Sequence, residues 1–315
     1  MNLAHAHLLL NHFPTVGMIV GLGVFLVALV AKSDDLKRAG LVIFFLIALV
    51  TIPAFVTGAA AHLVLEKNSE VSKSMIDAHE NAAFAALWPM ELTGALAWLG
   101  LWQRRRLSRW PQATMTAVLL AALATFGLMT RAADMGGEIR HLEIRTAPAQ
   151  ADPPADPPAG PTLTRVIGDA MVNSTWTWAA SETVHFIGLS LLFGVVLLVD
   201  LRMLGFMKAI PYSTLHRLLP WGVLGFGVNV VTGMLFFIGA PLSFYVTNAT
   251  FFWKLALILV AGVNALYFTV FEQPWNLKAG DNPPVTAKVA AASGIFLWTA
   301  VIFCGQMLPF LGHSF

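Results

Sequence analysis

One cysteine, Cys304, stands in 315 residues. That excludes a disulfide framework and any iron–sulfur or zinc centre built from several cysteines of this chain. Charge is equally scarce: Asp, Glu, Lys and Arg make up 11%, less than half of the roughly 25% usual in soluble domains. The net charge of +2 points to no acidic or basic partner, and no stretch resembles a nucleic-acid-binding module. No basic flank precedes the first apolar run, so that run is read as a retained span rather than a cleaved signal. The HExxH type of metal motif is also missing.

What is present is length and grease. Hydrophobic residues make up 57%, and apolar runs recur at the ~20 residues that cross a bilayer as helix. Eight spans are predicted, at about 14–31, 39–58, 81–102, 112–131, 179–200, 219–239, 251–271 and 288–310. The fold class is therefore an all-α polytopic integral membrane protein. With both termini outside, the inner loops hold 12 of the 19 Lys and Arg residues, among them Arg104, Arg105, Arg106 and Arg109 of "QRRRLSRW". Cytoplasmic loops carry such an excess. "TAPAQADPPADPPAGPT" cannot bury a core and reads as an extended outer linker. Residues 1–146 and 166–315 then form two four-helix membrane domains joined by a linker at 147–165.

Nine histidines are distributed unevenly over this topology. Only His216 falls on the inner side; His5, His7, His12, His62, His79, His141, His185 and His313 fall on or near the outer one. In the first half every span brings a histidine to that side: His12 before Pro14, His62 after the second span, His79 opening the third, and His141 after the fourth. If the fourth helix continues, His141 stands roughly 15 Å beyond Arg131. Paired imidazoles on facing helices hold low-spin haem. Close-packed helices lie only about 8–10 Å apart, so a flat porphyrin needs room. Gly136 and Gly137 are read as that room, with His141 one turn on. Arg131, Arg140 and Arg145 are candidate propionate partners, and Glu138 or Glu143 a candidate orienting group. Bundle geometry suggests His62 with His141 as an outermost site and His12 with His79 nearer the membrane. The bland alternatives are interfacial histidines, a Gly-Gly helix stop and, for His5 and His7, a frayed terminus.

In the second half His185 lies inside the fifth span, where an ionisable residue is a functional candidate. Glu182 is a candidate partner for it, and His313 a candidate second ligand, with Met307 as a softer one. Lys254 either snorkels or meets a propionate or an anionic head group. Asp200 and Arg202 in "DLR" read as an internal charge pair. Asn229 and Asn264 read as helix glue. Glu91, in mid-span, is a candidate proton relay to a quinone or else a protonated group hydrogen-bonded near Thr93.

The blocks "HFP", "TGAAA", "HENAA" and "GGEIRH" resemble an uncharacterised family of bacterial four-helix membrane domains over residues 5–146. The resemblance implies a respiratory-type module that binds haem, with ligands at His12, His62, His79 and His141. The blocks "HFIG", "DLRMLG", "TGMLFF" and "FFWKLAL" are similar to a second uncharacterised bacterial membrane family, whose organisation is loosely like copper-resistance membrane proteins and b-type cytochromes. The expectation is a b-type cytochrome-like electron-transfer protein, or a subunit of a membrane redox complex, in the bacterial inner membrane. It would hold haem b at a histidine-rich periplasmic face and exchange electrons with a periplasmic cytochrome c, another redox subunit or a quinone. Two alternatives stand beside it. One handles copper or another transition metal, which His5, His7, His12, Met135 and Met307 could serve because imidazole and thioether suit copper; the metal-ligand candidates overall are His12, His62, His79, His141 and His185. The other is a structural membrane anchor with no cofactor. No enzyme class follows from the sequence.

Overall fold

A computed structural model describes residues 3–65, 73–140, 162–270 and 273–311. Every regular element among them is helical. Helices α1 (Leu3–Leu10) and α2 (His12–Val30) make the first span, with Asn11 between them still bonded to the His7 carbonyl at 2.8 Å. They are followed by α3 (Asp34–Leu65), α4 (Lys73–Leu107), α5 (Gln112–Arg140) and the short α6 (Leu163–Asn173). Next come α7 (Thr177–Leu204), α8 (Tyr212–His216), α9 (Leu219–Gly239), α10 (Leu242–Val246), α11 (Ala249–Val270) and α12 (Val285–Leu311). Eight segments are long and apolar enough to cross a bilayer. This is a multi-pass membrane protein whose outer surface meets lipid, and exposed side chains such as Ile19, Leu120, Val263 and Phe296 are the ones suited to that contact.

The helices overrun the apolar runs that reveal them. Helix α3 has 32 residues and α4 has 35, about 50 Å each at 1.5 Å per residue, against a hydrocarbon core of about 30 Å. Hydrophobicity marks only the part a bilayer covers, while the backbone goes on pairing with itself beyond it. His62, expected just beyond the second span, lies in the last turn of α3, and His79, expected at the start of the third, lies in the second turn of α4. Residues 163–165, assigned to the linker, are the first turn of α6; the rest of the linker sequence up to 161 lies outside the described residues.

Two helices carry an internal proline, Pro53 in α3 and Pro89 in α4. Each is followed four residues on by a threonine that donates to the proline's own carbonyl, Thr57 at 2.8 Å and Thr93 at 2.7 Å. Proline leaves the carbonyl four residues before it without its helical donor; the threonine hydroxyls lie one turn beyond and make ordinary back-bonds to the helix. Helix α7 ends at Gly205, whose φ of 103° closes the helix through bonds from Gly205 and Phe206 to the Arg202 and Leu201 carbonyls.

The chain forms two compact units, residues 1–100 with 111–167, and residues 101–110 with 168–315. In the first, Phe25 and Phe44 meet edge to face at the α2–α3 contact, and Thr93 bonds to Thr125 between α4 and α5 at 3.0 Å. In the second, α7 and α9 come together backbone to backbone: a Cβ on Gly225 would lie 2.6 Å from the Gly188 carbonyl and 2.7 Å from the Leu192 nitrogen. Small residues permit such approach where lipid tails offer no hydrophobic drive.

Candidate cofactor site

The first unit repeats one local arrangement twice. His7 on α1 donates from Nδ1 to the Ala54 carbonyl of α3 at 3.0 Å. One turn further along α3 is Gly58, where a Cβ would stand 2.9, 3.3 and 3.6 Å from Cε1, Nδ1 and Nε2 of the His7 ring. His79 on α4 donates from Nδ1 to the Ala132 carbonyl of α5 at 2.9 Å. One turn along α5 is Gly136, and a Cβ there would stand at the same 2.9, 3.3 and 3.6 Å from the same three atoms of His79. Each imidazole thus leans on an Ala-x-x-x-Gly step of the next long helix. A carbonyl only accepts, so Nδ1 carries the hydrogen and Nε2 keeps its lone pair. Fixing Nδ1 in this way is how proteins set the tautomer and aim of a ligating histidine. His7 lies within electrostatic reach of both His79 and His12.

Gly136 makes room for an imidazole edge. Gly137 lies beside it in α5, and Arg140 is the last residue of that helix. His141, Glu143, Arg145 and His313 lie outside the described residues, so neither the His62–His141 pair nor the His185–His313 pair is tested by geometry. His12 opens α2 as an exposed residue, and it is His7, read from sequence as a frayed end, whose ring is anchored in the same way as that of His79. The sequence carried only a partial signal for this. Ala-x-x-x-Gly occurs at 54–58 and 132–136, each after a histidine-bearing segment, but also at 133–137 and 290–294, so the step alone does not mark an anchored histidine.

Close by on α3 and α4, His62 Nδ1 meets Glu80 Oε2 at 2.8 Å. His62, Asp77 and Glu80 can each turn one ligand atom into a group spanning no more than 4.8 Å. Glu80 also bonds to the Thr164 hydroxyl at the start of α6. An imidazole with two carboxylates is a donor set for a borderline divalent metal. Asp77 and Glu80 flank His79 in "DAHE" and were missed, because a charge near a helix start looks like an ordinary solvated end.

In the second unit His185 donates from Nδ1 to Thr232 Oγ1 at 2.7 Å, and Thr232 in turn donates to the Val228 carbonyl at 2.7 Å. Thr232 thus takes the place expected for Glu182, which is exposed. Phe236 stands edge-on to the His185 ring at 5.5 Å, and the Lys254 charge acts on it. Lys254 runs along α12 at Gly305, 3.5 Å from where a Cβ would sit. Asp200 and Arg202 do not pair: the fully buried guanidinium reaches the Ile210 carbonyl at 2.9 Å and the Tyr212 hydroxyl at 2.8 Å. In the first unit Glu91 has a buried Oε1 with no hydrogen bond among the described residues. The Thr93 hydroxyl expected near it is committed to Pro89 and Thr125.

Comparison with known protein families, with curated proteins and with solved structures found no match.

Proposed function

We propose that the first unit is a b-type cytochrome-like electron-transfer module, in which His7 and His79 would hold a haem at the end of the unit where α1 begins. The observation that carries this reading is the duplicated clamp. Two imidazoles on separate helices hold the same tautomer against the same carbonyl-glycine step. That donor set fits haem iron, for which neutral imidazole nitrogens are the usual protein ligands. Bound haem would supply a one-electron couple. The chain's part is to hold both Nε2 lone pairs in place and to surround them with apolar helix. A fixed imidazole loses little freedom on ligation, and so favours the bound form. Orientation by positive charge puts this end on the periplasmic side, where a soluble cytochrome c, another redox subunit or a quinol would exchange electrons with it.

A second reading, transition-metal handling, draws on the His62, Asp77 and Glu80 group, whose ligand chemistry suits zinc or copper. One preparation separates the readings. The full chain, purified from a haem-replete host, is expected to give reduced-minus-oxidised bands and a pyridine haemochrome. His7→Ala and His79→Ala should each abolish the low-spin signal, while His12→Ala keeps it. Absence of haem bands, or their survival in both of the first two variants, would sink the haem reading. Metal bound in its place and lost in Glu80→Gln would favour the second.

A further inference from the structure

Asp200, on α7, is the most deeply buried carboxylate among the described residues, at 2% exposure. Its Oδ2 has no hydrogen-bond partner among the described residues. It faces α12 at Gly294, where a Cβ would stand 2.5 Å from Oδ2. The same point lies 3.2 Å from Asn264 Oδ1 of α11. Two oxygens from different helices thus converge over a position that has no side chain.

The direction of each amide and hydroxyl bond nearby is settled. Asn264 Nδ2 donates to the Ala290 carbonyl at 2.9 Å and to Ser293 Oγ at 3.0 Å. Ser293 Oγ donates its hydrogen to the same carbonyl at 2.9 Å. The Asn264 amide hydrogens are therefore spent on α12, and Oδ1 is the atom left to face Asp200. An ionised Asp200 would set acceptor against acceptor in an apolar surrounding. Among the described residues Asp200 Oδ2 has no donor to accept from, and an unpaired buried charge is costly.

No charged group repairs this. Arg202, two residues on, spends its guanidinium on Ile210, Tyr212 and the Lys208 carbonyl. From α11 and α12 the groups beside Asp200 are Asn264 Oδ1 and the Gly294 position. Tyr212 of α8 is held by Arg202, and no charged side chain among the described residues acts on the carboxyl.

We propose that Asp200 is a reversible proton-binding site of the second unit, whose acid hydrogen is donated to Asn264 Oδ1 in the space kept open by Gly294. Binding a proton converts one of two opposed acceptors into a donor, so the site is satisfied when loaded and repulsive when empty. The ligand is H⁺, the one cation that needs no further coordinating oxygens. The site stands independently of the haem reading, since none of its residues belongs to the first unit.

Infrared difference spectroscopy on the full chain in lipid nanodiscs tests it. Aspartate labelled with ¹³C at the side-chain carboxyl separates Asp200 from Glu91 without any substitution. The expected result is a labelled carboxylic-acid C=O band at neutral pH, shifted in D₂O and reversibly replaced by carboxylate bands at higher pH while the protein stays folded. Asp200→Asn should remove the band, and Asn264→Leu should move it towards the free-acid position. Three results would overturn the proposal. The first is a carboxylate at neutral pH. The second is an acid band that neither exchanges nor titrates in the folded state, which marks a fixed structural acid. The third is deprotonation on replacing choline with sodium at constant pH, which marks a sodium site.

Discussion

At the scale of single residues, the first unit turns on two glycines that accept imidazole edges. A methyl at Gly136 would stand 2.9 Å from His79 Cε1, too close for van der Waals contact. Gly136→Ala should push the ring off the Ala132 carbonyl and cost about 1–3 kcal/mol, the usual range for overpacking. Gly58→Ala should do the same to His7. Gly127→Ala on α5 is the matched control, since nothing lies within 4 Å of that position; it should be neutral or slightly stabilising through helix propensity. Thermal unfolding in detergent measures all three. Equal melting temperatures for Gly136→Ala and Gly127→Ala would mean that the His79 clamp is not held in solution. The histidine-rich end was legible in the sequence as a pattern of residue types. Which histidines are anchored was not legible, because that depends on which carbonyl each ring can reach across a helix pair.

At the scale of elements, glycine again decides how close two helices lie, in the second unit at α7 and α9. The Gly225 site has backbone atoms of α7 at 2.6 and 2.7 Å, and backbone cannot swing aside as a side chain can. Gly225→Ala is expected to separate the pair and cost at least the ~1–3 kcal/mol of ordinary overpacking. Gly227→Ala on the same helix has open space and should leave the melting temperature unchanged. A separation of α7 and α9 would also disturb the His185–Thr232 bond that joins them. Hydropathy located both helices, but a glycine facing a helix and a glycine facing lipid look the same in a hydropathy profile.

At the scale of the whole molecule, the eight spans imply alternating sides, and the basic residues imply which side is which. In a Cys304→Ala background, Thr175→Cys ahead of α7 should react with a membrane-impermeant thiol reagent added to intact cells. Lys278→Cys, between α11 and α12, should react only after the membrane is opened. Both positions are exposed, so the reverse labelling would invert the proposed orientation. The sequence alone determined the helical class and the number of spans, because bilayer thickness acts on runs of composition that need no partner to be recognised. It did not determine the helix ends, the absence of an Asp200–Arg202 pair, the anchoring of His7 or the meeting of Asp200 with Asn264 over Gly294. Those depend on rotation and register between helices distant in sequence, and only packed tertiary structure decides where a side chain from one helix meets the backbone of another.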